Sequence, residues 1–301
     1  MIIPFAKYSK LWVAISGATV VVCSVLTLMW GLKPGIDFTG GTLWEFSFSQ
    51  NRPAIEDVQK AFTDLNLSNS TLQKTGDFGV MARTSFLTED QHQLVLRELR
   101  AKFQTDSNNL REDRFETIGA AVSKQLRTRA LWAIILVSFC IVLYVTYAFR
   151  KVSAPVASWK YGVLAIVALI HDILLVMGVF AVLGHFYGVE VDIAFVVALL
   201  TVLGYSINDT IIVYDRIREN LLRRRGEDFG ETVNVGLNQT LMRSINTTLT
   251  TLFPLFILYF FGGASIHNFT LALLIGIASG AYSSVFIASP LLVLVEKWKR
   301  N

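Results

Sequence analysis

Apolar positions along the chain gather into six long runs, at 11–32, 130–149, 161–183, 191–214, 245–261 and 269–295. A helix needs about 20 residues to cross a hydrocarbon layer about 30 Å thick, and each run has the length for it. The pattern predicts a polytopic α-helical membrane protein with six transmembrane helices. Lys7 and Lys10 precede the first run, as they would in a secretory signal. That run is longer than a signal's apolar core and no small-x-small cleavage site follows, so it reads as an uncleaved span.

The only long polar stretch, 33–129, has the periodicities of a small α+β domain. Over 42–49, Leu43, Glu45 and Ser47 alternate with Trp44, Phe46 and Phe48, a half-buried strand. Pro53 opens a helix to about Leu65, with Val58, Ala61 and Phe62 at helical spacing. Strands are predicted at 71–75 and 78–83 around the turn Gly76–Asp77. Thr88 then caps a helix to about Phe103, with Gln91 at the capping-box position. A last strand is expected at 115–118. The order βαββαβ is ferredoxin-like, a fold that carries no function by itself. The stretch holds no nucleophile–base pair, phosphate loop or metal-ligand spacing, so a contact or handling domain is expected rather than an enzyme. The division predicted is 1–32 (N-terminus and first span), 33–129 (exported domain) and 130–301 (five spans, with a cytoplasmic loop at 215–243).

Charge then sets the orientation. Charged residues are 17% of the chain and hydrophobic ones 53%, so placement matters more than the net charge of +4, and a nucleic-acid partner is a poor reading. Lys and Arg cluster before span one, after span two (Arg150, Lys151), after span four (Arg216, Arg218, Arg223, Arg224, Arg225) and at the end (Lys297, Lys299, Arg300). The short loops 185–190 and 262–268 have none. Both termini are therefore expected in the cytoplasm, and the 33–129 domain outside. Cys23 and Cys140 both fall in apolar runs, which indicates no disulfide framework.

Polar residues inside the spans are the functional candidates, because ionisable groups there are costly. Asp209 lies about 9 Å inside the expected cytoplasmic boundary of span four. Tyr205, Ser206 and Asn208 make its surroundings too wet for lipid. The bland alternative is a helix-end carboxylate that merely reaches water. Arg243, Asn246, Thr247 and Thr250 share one face of the next span, where Arg243 is expected at the depth of Asp209. Burial and a nearby arginine act in opposite senses on a carboxylate, so the pair could take up and release a proton. An arginine snorkelling to the cytoplasm is the plain alternative. His171 and Asp172 lie about 16 Å into span three, near the midplane, as a relay or an interhelical hydrogen bond. Asp192 reads as interfacial. Gly276 and Gly280 form a G-x-x-x-G spacing for close helix packing, with Ser283 and Ser284 beyond it.

Four motifs carry a family resemblance. GIDFTGGT at 35–42, with Gly35, Asp37, Gly40 and Gly41, resembles the signature after the first span of the SecD/SecF family. LLTVLGYSINDTIIVYDRIRE at 199–219, NQTLMRSINTT at 238–248 and SSVFIASP at 283–290 resemble the fourth-, fifth- and sixth-span motifs of its SecF branch. The resemblance implies an accessory subunit of bacterial Sec protein export in the inner membrane, of resistance-nodulation-division architecture and without cofactor or metal. It implies pairing with SecD, work beside the SecYEG channel with YajC or YidC as further neighbours, an unfolded polypeptide as cargo, and a proton or sodium gradient as the drive. Asp209 matches the essential fourth-span acid and Arg243 the fifth-span arginine; Asn208, Asn246 and Thr247 stand beside them as coupling candidates. A small-molecule efflux transporter, a membrane-embedded enzyme and a passive scaffold are the rival readings.

Overall fold

The structure is a computed structural model that describes residues 3–150, 156–223 and 228–300. Lys151, Arg224 and Arg225, counted among the loop cations above, lie outside the described residues. The chain divides into two compact units, Pro34–Arg129, and Met1–Lys33 with Ala130–Asn301.

In the first unit a one-turn helix α2 (Ile36–Thr39) leads into β1 (Gly41–Phe48), followed by α3 (Ile55–Asp64), β2 (Thr71–Thr75), β3 (Gly79–Thr84), α4 (Glu89–Phe103) and β4 (Leu110–Ile118). The sheet is antiparallel in the order β2-β3-β1-β4, which is the ferredoxin-like arrangement. Alternation in β1 sends Trp44, Phe46 and Phe48 into a core with Val58, Phe62 and Leu99. The Trp44 indole donates to Glu112 Oε2 at 3.0 Å, and His92 Nε2 meets the same oxygen at 2.6 Å, so the polar atoms entering this core are paired. Thr88 and Gln91 form the full capping box of α4. The Gln93 amide holds the exposed Glu89 carboxyl below its usual range, with His92 adding to it. β4 starts at Leu110, five residues before the expected 115, because Leu110, Arg111 and Glu112 pair with Phe48, Ser47 and Phe46 at the far end of β1, across a bulge at Glu45/Phe46.

The glycine pair at 40–41 has a backbone reason. Gly40 has φ +76° and Gly41 φ +117°, and the turn they make feeds the central strand. A Cβ on Gly41 would sit 2.7 Å from the Thr84 carbonyl oxygen. Gly41→Ala is expected to destabilise this unit by about 1–3 kcal/mol, read as faster hydrogen exchange of the β1 and β3 amides in the full-length protein. Unchanged exchange would mean that the glycines serve something other than this turn.

The second unit holds the helices α1 (Ser9–Trp30, after a 3-10 turn Phe5–Tyr8), α5 (Ala120–Ala148, from residue 130 onward), α6 (Ser158–Tyr187), α7 (Ile193–Arg223), α8 (Phe229–Phe261), α9 (Ala264–Ser283) and α10 (Ser289–Arg300). A π-helical turn, Ser284–Ala288, joins α9 to α10 into one long span. Among the described residues six helical segments are thus long and apolar enough to cross a membrane. α7 packs against α6, α8 and α9, while α1 lies on α6. The third, fourth and sixth spans are the most buried, and the first, second and fifth present most of their surface outward.

The helices overrun the apolar runs. The segment 215–243, expected as a cytoplasmic loop, is mostly helix: α7 continues to Arg223 and α8 begins at Phe229. Arg216–Glu219 (2.5 Å), Arg218–Asp215 (3.1 Å) and Arg223–Glu219 (2.7 Å) are i,i+3 and i,i+4 pairs that carry α7 past its apolar part. Asp228 caps α8 by accepting from the Glu231 N–H. Asp192, at the other end of α7, accepts from the Phe195 N–H at 2.8 Å and acts as its cap.

Candidate functional site

Two buried carboxylates stand in the middle of the bundle. Asp209 lies 16 residues from the start of Ile193–Arg223 and 14 from its end. Asp172 lies 14 residues from the start of Ser158–Tyr187 and 15 from its end. Both are nearly or wholly sealed from solvent, at 3% and 0% exposure. Carboxylates at such positions need donors.

Asp209 takes its donors from two helices. Ser244 on α8 and Ser284 at the start of the π turn both hydrogen-bond Oδ2, Ser284 at 3.1 Å. The Ser284 hydroxyl is also 3.1 Å from the Ala281 carbonyl oxygen. Its single proton can serve only one of them fully at a time.

Asp172 is satisfied on both oxygens. Oδ1 meets Ser279 Oγ at 2.6 Å and His171 Nδ1 at 3.1 Å. Oδ2 meets Ser206 Oγ at 2.6 Å and Ser283 Oγ at 2.8 Å. These partners come from α6, α7 and α9, so one carboxylate ties three helices together. Neighbours on a helix point about 100° apart, and the His171 ring still turns back to its neighbour's Oδ1.

Adjacent serines thus hold the two centres: Ser283 bonds Asp172 and Ser284 bonds Asp209. The chain widens into the π turn at that point, and Ser289 Oγ donates back to the Ser284 carbonyl at 3.0 Å. Single π turns inside α-helices mark places where the hydrogen-bond ladder has an alternative. The glycines of α9 make the arrangement possible. A Cβ on Gly276 would lie 2.2 Å from Val202, and one on Gly280 would lie 2.8 Å from Ser206. Only glycine lets α9 approach α7 closely enough for Ser279 and Ser283 to reach past it to α6.

The expected pairing of Arg243 with Asp209 is absent. Among the described residues no hydrogen bond or ion pair joins them, and Ser244 occupies the place instead. The buried face of α8 runs through Leu237, Thr240, Ser244 and Thr248. Arg243, Asn246 and Thr247 lie on its exposed side, as Asn208 does on α7. A one-residue offset rotates a helix face by about 100°, and spacing alone does not say which polar face turns inward. Arg243 instead lines a polar cavity of about 550 Å³ with Asp215, Arg216, Glu219 and Ile212, the last one helical turn from Asp209. The Tyr205 hydroxyl donates to the Thr247 carbonyl oxygen at 2.9 Å, tying α7 to α8.

Sequence reasoning missed the serines. Ser244, Ser279, Ser283 and Ser284 are small residues in apolar runs, where hydroxyls pass as packing. The available signal was spacing: Ser206 precedes Asp209 by three positions and Ser279 precedes Ser283 by four, one face in each case.

Comparison with known proteins places this geometry. Residues 98–298 match the family described as protein export membrane protein SecD/SecF, C-terminal, and residues 31–51 match the SecD/SecF GG motif. The protein translocase subunit SecF of Thermobaculum terrenum is 46% identical over 91% of this chain and 87% of its own length. That of Anaerolinea thermophila is 37% identical over 96% of this chain and 93% of its own. The crystal structure of SecDF, a translocon-associated membrane protein from Thermus thermophilus, superposes with TM-score 0.80 at 31% identity. It covers 99% of this chain, which spans 38% of the SecDF chain. SecDF in its super-membrane-facing form gives 0.68 at 30% identity, over 98% of this chain and 39% of that one.

Proposed function

This chain belongs to the SecD/SecF family of protein-export membrane proteins, and from that premise we propose that it is an ion-gradient-coupled subunit of the Sec export machinery. The observation that carries the proposal is Asp209: a carboxylate at mid-helix depth whose hydrogen bonds, among the described residues, both fall on one oxygen and come from two different helical segments. In that arrangement Oδ1 is the position for a proton. An ionised Asp209 draws the Ser284 hydroxyl toward Oδ2. A protonated one releases it to the Ala281 carbonyl, which lies at the same 3.1 Å. The exchange occurs where the helix already departs from α geometry. Proton uptake would then shift the sixth span against the fourth and fifth, and through the helices work on the exported domain. A proton needs one lone pair, which favours it over sodium as the coupling ion. The 550 Å³ cavity beside Arg243 is its route to the cytoplasmic side. An elementary charge crossing the membrane releases about 2.3 kcal/mol per 100 mV, enough to bias a two-state element of this kind.

The working unit is larger than this chain. Arg243, Asn246, Thr247 and Asn208 are exposed on α8 and α7, and such side chains do not face hydrocarbon. A second helical half, SecD, would cover them, with the complex acting on unfolded polypeptide at SecYEG and with YajC or YidC as further neighbours. The loop cations support a topology with both termini in the cytoplasm, and membership of the family supports the bacterial inner membrane as its place.

The test is reconstitution of the chain with its SecD and SecYEG in liposomes carrying an imposed proton or sodium gradient, following a secretory precursor. Export that rises with the proton gradient and collapses when it is dissipated is the expected result. Export indifferent to either gradient would leave a scaffold, and dependence on sodium alone would change the ion.

A further inference from the structure

The coupling scheme gives His171 no task, yet its ring is placed for one. It is 3% exposed, with Nδ1 on Asp172 and Nε2 buried with no hydrogen-bond partner among the described residues. The ring lines a separate cavity of about 240 Å³, walled by Val13, Gly17 and Val20 of α1, Val167 and Ile170 of α6, and Ile287 of the π turn. Ser16 belongs to the same wall, and its hydroxyl is 2.9 Å from that of Tyr282, whose ring centroid is 6.0 Å from the imidazole.

Asp172 determines which nitrogen can change. An ionised carboxylate offers about four acceptor positions. Ser279, Ser206, Ser283 and His171 Nδ1 fill them. Among the described residues only Ser283 has a second acceptor, the Gly280 carbonyl oxygen at 3.2 Å, and the anion is the state in which all four donate to Asp172. Nδ1 then donates, and Nε2 is a bare lone pair when the ring is neutral and an N–H when it is charged.

We propose that His171 is a second proton-exchanging group of the membrane region, taking its proton on Nε2 from the cavity beside α1, with Asp172 as its permanent counter-charge. The proton adds to Nε2 and leaves it by the same side. The Nδ1–H···Oδ1 bond is not broken, and the pair passes from one negative charge to none. The walls are apolar apart from Ser16 and the ring itself, so exchange at Nε2 requires the ring or α1 to move enough to admit a water molecule. The ionisable groups around the ring are Asp172 on its own helix and Tyr282 from α9. α1 and the π turn with α10 bring Ser16 and aliphatic side chains. α7 brings Ser206 to Asp172, with Asp209 one turn further along and held by Ser244 and Ser284. The use of this site in export rests on the reading of the chain as an ion-coupled subunit; its titration does not.

The experiment is 15N-histidine NMR of the full chain in lipid nanodiscs, across about pH 5 to 8. The chain has 4 histidines, and His171→Gln assigns the signal. Should that variant not fold, His92→Gln, His185→Gln and His267→Gln assign it by exclusion. The expected result is a His171 ring that passes between neutral and imidazolium shifts while its Nδ1–H stays hydrogen-bonded, and an Asp172→Asn protein in which that passage is lost. A ring that keeps one neutral tautomer over the whole range overturns the proposal. That outcome leaves gradient-driven export through Asp209 standing, and a titrating His171 in a protein whose export ignores the gradient would sink the other reading instead.

Discussion

An Asp209→Asn protein is expected to assemble normally and to lose the gradient-driven part of export by at least about tenfold. Asn keeps the shape of the side chain and an oxygen for Ser244 and Ser284, so the contacts of α7 with α8 and the sixth span persist. What it cannot do is change charge. A driving energy of about 2.3 kcal/mol per 100 mV corresponds to a factor of about 50, and this sets the most that gradient coupling could contribute per proton at that potential. Gradient-independent export should remain, because nothing else in the bundle is altered. The measurement is precursor maturation in the reconstituted system, with and without an imposed gradient, alongside co-purification with the partner half. Equal gradient response in parent and variant would make Asp209 a structural carboxylate.

Asp172→Ala should strike stability instead. The change removes the acceptor of three serine hydroxyls and of His171, drawn from three helices, in a place without solvent. Breaking one side of a buried charged cluster costs about 3–5 kcal/mol, because the remaining groups are left unpaired. Interhelical hydrogen bonds in membranes are individually modest, so a loss of this size requires the four to act as a unit. Denaturant titration of the purified protein in detergent reads the effect directly. A variant as stable as its parent would show that helix packing at Gly276 and Gly280 holds the bundle without the carboxylate. The two carboxylates thus differ in how completely they are bonded: among the described residues Asp172 is bonded on both oxygens, and Asp209 on Oδ2 alone.

Much of this protein is legible without coordinates, for reasons of period and length. Apolar runs near 20 residues long name the spans, and alternation in Leu43–Phe48 against helical spacing in Val58, Ala61 and Phe62 names the elements of the small domain. Thr88 and Gln91 announce a helix start because a cap is a local interaction. Asp209, Asp172 and His171 stand out because ionisable groups in apolar runs are expensive wherever the helix faces. Helix ends beyond the lipid boundary are less legible: charge pairs such as Arg223–Glu219 extend α7 where hydropathy alone ends it.

Rotation and partnership belong to the tertiary structure. Which face of α8 turns inward is decided by packing of Thr240, Ser244 and Thr248 against α7 and the sixth span, and this puts Ser244 rather than Arg243 on Asp209. Serines 206, 279, 283 and 284 become ligands of carboxylates only because Gly276 and Gly280 bring two helices nearly into contact. The saturation of Asp172 depends on serines 34 to 111 positions away in the chain. Spacing along one helix carries no information about those distances. The sequence by itself determined which groups are out of place in a membrane; the fold decided what each of them is bonded to, because hydrogen bonding of a buried carboxylate is a property of three helices at once.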